Sequence, residues 1–225
     1  IFSLDMKKII IFGNGEFAEI SQYYFGKENV AHFCVDDENV RESHFKSTPL
    51  LSFSELLNFN KGEFDIFVAL SYRKMNSVRQ SKYEIFKKLG FTFASFIHEN
   101  SYISNEAIIG ENCLILENQT IQKDVEIKDN VFLWSGNHIG HNSKIDNNTY
   151  ISSGVTISGN VKIGKNCFFG VNSCTKEFIS IGDNVLISMG ATVLKNIKSN
   201  SAVLSPESKI YEPSNPITKK ILGKI

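Results

Sequence analysis

The chain has 225 residues, enough for one large or two modest domains with real cores. Its 24 Lys and Arg balance 24 Asp and Glu, which argues against a nucleic-acid or membrane-surface role and for a small partner. No apolar run approaches the about eighteen residues of a membrane span and the N-terminus has no signal-peptide pattern, so a cytoplasmic location is expected.

In chain order, Ile1 to Asp5 read as a remnant ahead of a natural start at Met6, and residues 6–95 as a first domain. Lys7 to Phe12 is an apolar strand of the buried, parallel type. It runs into Gly13-Asn14-Gly15-Glu16-Phe17-Ala18 and then a helix to about Phe25. A second strand, Val30 to Val35, ends in Asp36-Asp37. A third, Asp65 to Leu70, leads into a helix with Ser71 as N-cap, apolar Met75, Val78, Phe86 and Leu89, and Gly90 as stop. Strand, glycine turn, helix, strand, acid is the order of a small α/β, Rossmann-like βαβ nucleotide-binding unit. The glycines let backbone N–H groups approach a phosphate at the helix N-terminus. Asp36 or Asp37 can accept hydrogen bonds from ribose hydroxyls or a base edge. Gly13, Asn14, Gly15, Glu16, Phe17, Asp36 and Asp37 are therefore candidate substrate contacts. The competing reading makes the glycines a tight turn and the acids a solvated strand end. A unit this short is too small for the usual six-stranded dinucleotide fold, which favours a nucleotide-diphosphate sugar over NAD.

From Ile97 to Val193 an aliphatic or near-aliphatic residue recurs at every sixth position, with only Thr175 out of character. The residue three after each anchor is Asn, Gly or Asp in fifteen of the seventeen units, types that tolerate positive φ. The residue four after is mostly small or β-branched, as at Ala107, Val125, Ser143, Thr149, Val155, Val161, Ser173 and Ala191. A strict period of six with a corner in every unit predicts a parallel β-helix of the hexapeptide kind, with the anchors inside. No unit is interrupted, so no long loop is expected to project from it. Cys113 and Cys167 fall at the small inward position. With Cys34 and Cys174 they show no C-x-x-C spacing, and they read as reduced core residues rather than disulfide or metal ligands.

Several strings carry a resemblance: Gly136-Asn137-His138-Ile139-Gly140-His141, Gly159-Asn160-Val161-Lys162-Ile163-Gly164, and Tyr72, Asn76 and Arg79 in the first domain. The chain from Lys7 to Ile210 resembles the hexapeptide-repeat sugar acyltransferases of the bacillosamine and perosamine N-acetyltransferase and sialic acid O-acetyltransferase type. The resemblance implies a left-handed β-helix over 96–198, three units per coil, a C-terminal tail over 199–225, and a homotrimer. It also implies acetyl-CoA as co-substrate and a role in surface glycan biosynthesis. Two departures stand out: Asn142 follows the implied base where the family often has an acid, and Leu204-Ser205-Pro206-Glu207-Ser208-Lys209 replaces the usual G-V-P-A-K.

Of five histidines only His138 and His141 sit together, bracketing the anchor Ile139. The family's general base maps onto His141. Imidazole, with a pKa near about 6.5, is suited to take a proton from a sugar ammonium as it attacks a thioester. Asn118, Asn137 and His138 become candidates for orienting His141 or touching the sugar, with Tyr72 and Arg79 as further substrate contacts. By resemblance, Tyr150, Gly170, Val171, Met189 and Gly190 face the pantetheine arm in the groove between neighbouring prisms. Ile217, Ile221 and Leu222 lie at helical spacing and suit packing on a neighbouring subunit. Three readings stay open: N-acetyl transfer to a nucleotide-linked (dTDP-, UDP- or GDP-) amino-dideoxy sugar, O-acetyl transfer to a free sugar such as sialic acid, and a non-catalytic trimeric scaffold. A zinc-dependent carbonic anhydrase on this prism would need three converging histidines, and only two lie near each other.

Overall fold

The computed structural model describes residues 7–223; the remnant expected at Ile1 to Asp5 and the start at Met6 lie outside it. In the first domain β1 (Lys8–Phe12), α1 (Glu16–Phe25), β2 (Val30–Val35), β3 (His44–Phe45), β4 (Thr48–Ser52), α2 (Phe53–Leu56), β5 (Phe64–Val68), α3 (Ser77–Lys88) and β6 (Thr92–Phe93) follow one another. The sheet order is β3-β4-β2-β1-β5-β6, parallel except for the β3–β4 hairpin. The chain winds outward on one side of β1 through β2 and β4, then returns to place β5 on the other side. That reversal makes the β1/β5 boundary a topological switch point, where the strand ends diverge and leave a crevice.

One local expectation changes. Ser71 does not open α3: residues 71–76 turn first, and Asn76, at φ 65°, is the N-cap. The small hairpin and α2 carry too few apolar positions to show a period. Ser52 starts α2 with a capping box in which Glu55 reciprocates.

The repeats form a triangular prism. Its first face stacks Phe96–Ile97, Leu114–Ile115, Phe132–Leu133, Tyr150–Ile151, Phe168–Phe169, Leu186–Ile187 and Ala202–Val203, so the stack continues beyond residue 198. The second face runs from Tyr102–Ile103 through His138–Ile139 to Thr192–Val193, and the third from Ile108–Ile109 to Ser180–Ile181. Strands pair in parallel with partners eighteen residues on, as Thr120, His138 and Thr156 do. Every corner residue from Asn112 to Gly190, in steps of six, has positive φ. Ile115, Ile121, Ile139, Ile145, Ile151 and Ile157 are wholly buried in the interior, each contributing about 1.5–3 kcal/mol. Ile97 departs from the expected ladder. It belongs to the first coil, has no coil beneath it, and is 43% exposed.

The first domain packs on the first face. Phe17 stacks on Phe132 (5.1 Å) and Phe25 meets Phe67 and Phe96 (4.9 and 5.5 Å), joining both domains in one apolar layer. No helix among the described residues is long and apolar enough to cross a membrane. The tail helix α4 (Pro216–Leu222) carries Ile217, Ile221 and Leu222 at 46%, 59% and 61% exposure.

Candidate active site

The crevice at the switch point is built from two turns. Gly13 donates its N–H to the Cys34 carbonyl (2.8 Å) and Ala69 donates to the Phe12 carbonyl (2.9 Å), which ties the three strand ends together. Gly13 has φ 133°, and a Cβ there would lie 2.9 Å from the Ala69 oxygen, so this position needs glycine on both grounds. Gly15 differs: a Cβ on it would meet nothing within 4 Å. Gly15 is also the N-cap of α1 and no side chain caps the helix; the Ala18 and Glu19 N–H groups bond the Gly15 carbonyl, which leaves those of Glu16 and Phe17 available beside open space. Glu16, in that first turn, suits a hydroxyl or base donor rather than a phosphate.

Both acids after β2 already have partners. Asp36 pairs with Lys82. Asp37 accepts hydrogen bonds from the Ser54 N–H (2.9 Å) and the Ser54 hydroxyl, and these hold its carboxyl below the usual range. Asp37 thus holds the start of α2, a structural role that the sequence reading assigned to ligand binding.

Arg79 calls for a plain correction. It is completely buried, and its guanidinium donates to Asn130 Oδ1 (3.1 Å), the Asn130 carbonyl (3.3 Å), the Asn148 carbonyl (2.8 Å), the Leu70 carbonyl (3.4 Å) and Asn76 Oδ1 (3.1 Å). It also lies 4.1 Å from the Phe132 ring centroid. Desolvation pushes it down to about 9. All five donors are used, so Arg79 locks the first domain onto the prism and has nothing left for a substrate. Asn76 is likewise buried and donates to the Cys167 carbonyl (3.0 Å). Phe17, stacked on Phe132, is an interface residue rather than a free contact.

Above the lock lies an aromatic wall. Tyr150 stacks on Phe168 (5.6 Å) and nears Trp134 (6.4 Å), and Tyr72, 51% exposed, covers Tyr150 and Phe168 (5.1 and 4.8 Å). Trp134 Nε1 is buried, with no hydrogen bond to it within the distance limits among the described residues. Tyr150 is only 5% exposed and faces the first domain, so it does not line a groove between prisms as expected. At the wall's edge Glu117 accepts from the Tyr24 hydroxyl (2.9 Å) and the Ser135 hydroxyl (2.6 Å), and these bonds hold its carboxyl below the usual range.

The corner between first and second faces carries Asn118, Gly136, Asn137, Gly170, Val171, Met189 and Gly190. Asn137 is 1% exposed, donating to the Trp134 carbonyl (2.5 Å) and accepting from the Val155 N–H (2.7 Å). It is a coil brace and does not touch His141. Gly170 is buried, and the room its missing side chain leaves is filled by the backbone of Ser188 and Met189 in the next coil. Val171 (43% exposed) and Met189 (69%) form an apolar strip up this corner, with Gly190 open beside them and Asn118 exposed below.

His138 stands half-buried on the second face, and His141 is exposed at the far edge of that face. The width of the second face separates His141 from the corner beside the aromatic wall, and the contacts His141 makes among the described residues are to Gln122 and Gly159, not to the crevice. Gln122 Oε1 accepts the His141 N–H (2.9 Å), and the ring lies over Gly159 of the next coil, where a Cβ would stand 2.7 Å from Nε2. Neither residue was a sequence candidate, although Gly159 is eighteen positions beyond His141, one coil at the predicted period. Cys113 and Cys167 are buried as expected, with Cys34 also buried, and desolvation pushes all three thiols up to about 12. No group of three or more His, Cys, Asp or Glu gathers at metal-binding distance among the described residues.

Two family models match the repeats: the bacterial transferase hexapeptide (six repeats) over residues 124–159 and the hexapeptide repeat of succinyl-transferase over 160–195. A comparison with curated protein sequences finds no match. Among solved structures, the acetyltransferase domain of PglB from Neisseria gonorrhoeae, in complex with acetyl coenzyme A, is similar at TM-score 0.77 and 24% identity, covering 87% of this chain and 95% of its own. PerB from Caulobacter crescentus, in complex with CoA and GDP-perosamine, is similar at TM-score 0.77 and 20% identity, covering 89% and 95%. WeeI from Acinetobacter baumannii is similar at TM-score 0.68 and 18% identity, covering 89% and 97%. The chain carries the bacterial transferase hexapeptide repeat over residues 124–159 and has the two-part, left-handed β-helix fold of these structures.

Proposed function

We propose that the protein is an acetyl-CoA-dependent N-acetyltransferase acting on the amino group of a nucleotide-linked amino-dideoxy sugar in surface glycan biosynthesis. The observation that carries this reading is the junction of the two domains. An uncapped helix start and the open space over Gly15 lie at the β1/β5 switch point, beside the aromatic first face of a hexapeptide prism. The crevice suits the nucleotide, with Gly13, Asn14, Gly15 and Glu16 around it, and the aromatic wall under Tyr72 suits the apolar face of a deoxy sugar. PerB, similar in fold, holds CoA and GDP-perosamine.

In the reaction the amine nitrogen attacks the thioester carbonyl, His141 takes the proton it sheds, the carbon–sulfur bond breaks and the thiolate leaves. A backbone N–H at a prism corner serves the oxyanion. Val171, Met189 and Gly190 take the pantetheine arm. Because crevice and His141 sit at different edges of one chain, a neighbouring copy completes each site, as in a homotrimer. The test is thiol release from acetyl-CoA across a panel of UDP-, dTDP- and GDP-linked amino sugars, with free sialic acid as the O-acetyl control. Turnover of sialic acid alone, or of nothing despite saturable acetyl-CoA binding, refutes the reading.

A further inference from the structure

We propose that Glu177 is the carboxylate partner of His141, reached across a notch that Gly159 leaves between them. The proposal rests on the reading of His141 as the base, and it concerns a residue outside every motif considered above. Coils on this stretch repeat every eighteen residues, so 123, 141, 159 and 177 stack in one column at the corner between second and third faces. The column keeps register: Asn142 N donates to the Lys123 carbonyl (3.0 Å), Asn160 N to the His141 carbonyl (2.8 Å) and Phe178 N to the Gly159 carbonyl (3.2 Å). Lys123 therefore lies below His141, a glycine above it, and Glu177 above that.

The imidazole leans up this column. A Cβ on Gly159 would stand 2.7 Å from Nε2, 2.8 Å from Cε1 and 3.2 Å from Cδ2. Nε2 has thus already climbed one coil. Neighbouring coils lie about 4.8 Å apart, so Glu177 Cβ stands roughly one such step above the notch, a gap that two methylenes and a carboxylate span. Gly159 has no left-handed φ that would demand glycine, so its missing side chain matters for the room it leaves.

A second, independent observation marks the same corner. Phe178, directly after Glu177, has φ 58°, where the other positive-φ corners of the stack carry Asn, Asp or Gly. A bulky side chain in that conformation costs about 1–2 kcal/mol, and with 71% of Phe178 exposed, packing does not offset it. Such outliers cluster where function holds the backbone. Glu177 is exposed and joins none of the ion pairs found among the described residues.

The charged and titratable groups around the ring are few. Lys123 comes from the coil below, 3.6 Å from its neighbour Asp124, and His138 from the preceding strand; Lys176 flanks Glu177, and Lys195 follows Glu177 one coil further along the same column. Gln122, Asn142 and Asn160 are uncharged. A rotamer change brings the Glu177 carboxylate onto Nε2–H, which fixes the tautomer with its lone pair on Nδ1. As Nδ1 takes the amine proton, the carboxylate stabilises the imidazolium. Glu177 is a positioning residue: it acts through His141 and touches no substrate.

The test follows the His141 ring resonance by NMR through pH in wild type, Glu177→Gln, Glu177→Asp and Gly159→Ala, beside pH profiles of kcat/KM. In Glu177→Gln the ring's titration midpoint should fall by about half a unit or more and the acid limb of the profile should fall with it. The same variant should lose about tenfold in kcat with KM unchanged. Glu177→Asp should recover part of both, Gly159→Ala should mimic Glu177→Gln, and Tm should stay within a degree or two for the exposed Glu177. An unmoved midpoint in Glu177→Gln overturns the proposal, whether or not kcat falls; if Gly159→Ala does not fold, Glu177→Gln alone decides. The NMR coupling stands or falls separately from catalysis, since loss of the His141 role would show as full activity in His141→Ala.

Discussion

Replacing Arg79 with Met separates a structural lock from a substrate contact. The variant keeps an unbranched apolar stem over Phe132 but removes the donors that satisfy the Asn130 and Asn148 carbonyls at 3.3 and 2.8 Å, while Asn130 Oδ1 loses one bond of 3.1 Å and keeps that from Asn112 Nδ2 at 2.7 Å. These acceptors lie where the domain covers the prism corner, and each buried acceptor left unpaired costs about 1–3 kcal/mol. The long bond to the Leu70 carbonyl, at 3.4 Å, adds little. Against this, the variant no longer buries a guanidinium without a carboxylate partner, a relief of several kcal/mol at most. The expected net loss is about 2–4 kcal/mol, a large share of a domain's about 5–15 kcal/mol. The chain's one tryptophan, Trp134, lies 6.0 Å from Phe17 across the interface, so its fluorescence reports domain separation during urea unfolding. The midpoint should move to lower urea while KM for the sugar nucleotide at low temperature stays near wild type. An unchanged unfolding curve with a tenfold higher KM would refute the lock and restore the substrate role read from sequence.

His141→Ala should lower kcat by about 10²- to 10⁴-fold with both substrates still binding, measured by steady-state kinetics and calorimetry, because proton removal is a transition-state contribution. Gly15→Val should leave Tm unchanged, since the side chain enters open space, and raise KM for the nucleotide sugar at least about tenfold without altering that for acetyl-CoA. Glu117 should make the interface acid-sensitive. Its carboxyl is held below its ordinary 4.5 by hydrogen bonds from Ser135 and Tyr24, so the stability it adds is full above that value and lost as pH falls through the lower folded one. The Tm gap between wild type and Glu117→Gln should therefore be widest near neutral pH and close as pH falls through that lowered folded value; a gap that persists in stronger acid would show that the bonds do not depend on the charge.

The period of six was enough, by itself, to determine the prism. Each unit repeats the same local solution, an inward aliphatic and a corner residue that tolerates positive φ, so Asn112 and Asn166 can be read without knowing what lies beside them. The glycine turn between β1 and α1 was legible in the same way, and at Gly13 the structure shows a positive φ. The pairing of the two domains was not legible, because it depends on groups far apart in sequence meeting across a surface. Arg79 looks like an anion-binding residue until Asn130 and Asn148 are seen to take its donors, and Tyr150 looks like a groove residue until Phe168, Trp134 and Tyr72 enclose it. Asp37 turned from ligand contact to helix brace for the same reason, through Ser54, seventeen residues away. His141 lies between these cases. Its corner follows from the repeat, but the direction of its ring was decided by packing, because the room over Gly159 exists only once one coil is laid upon another.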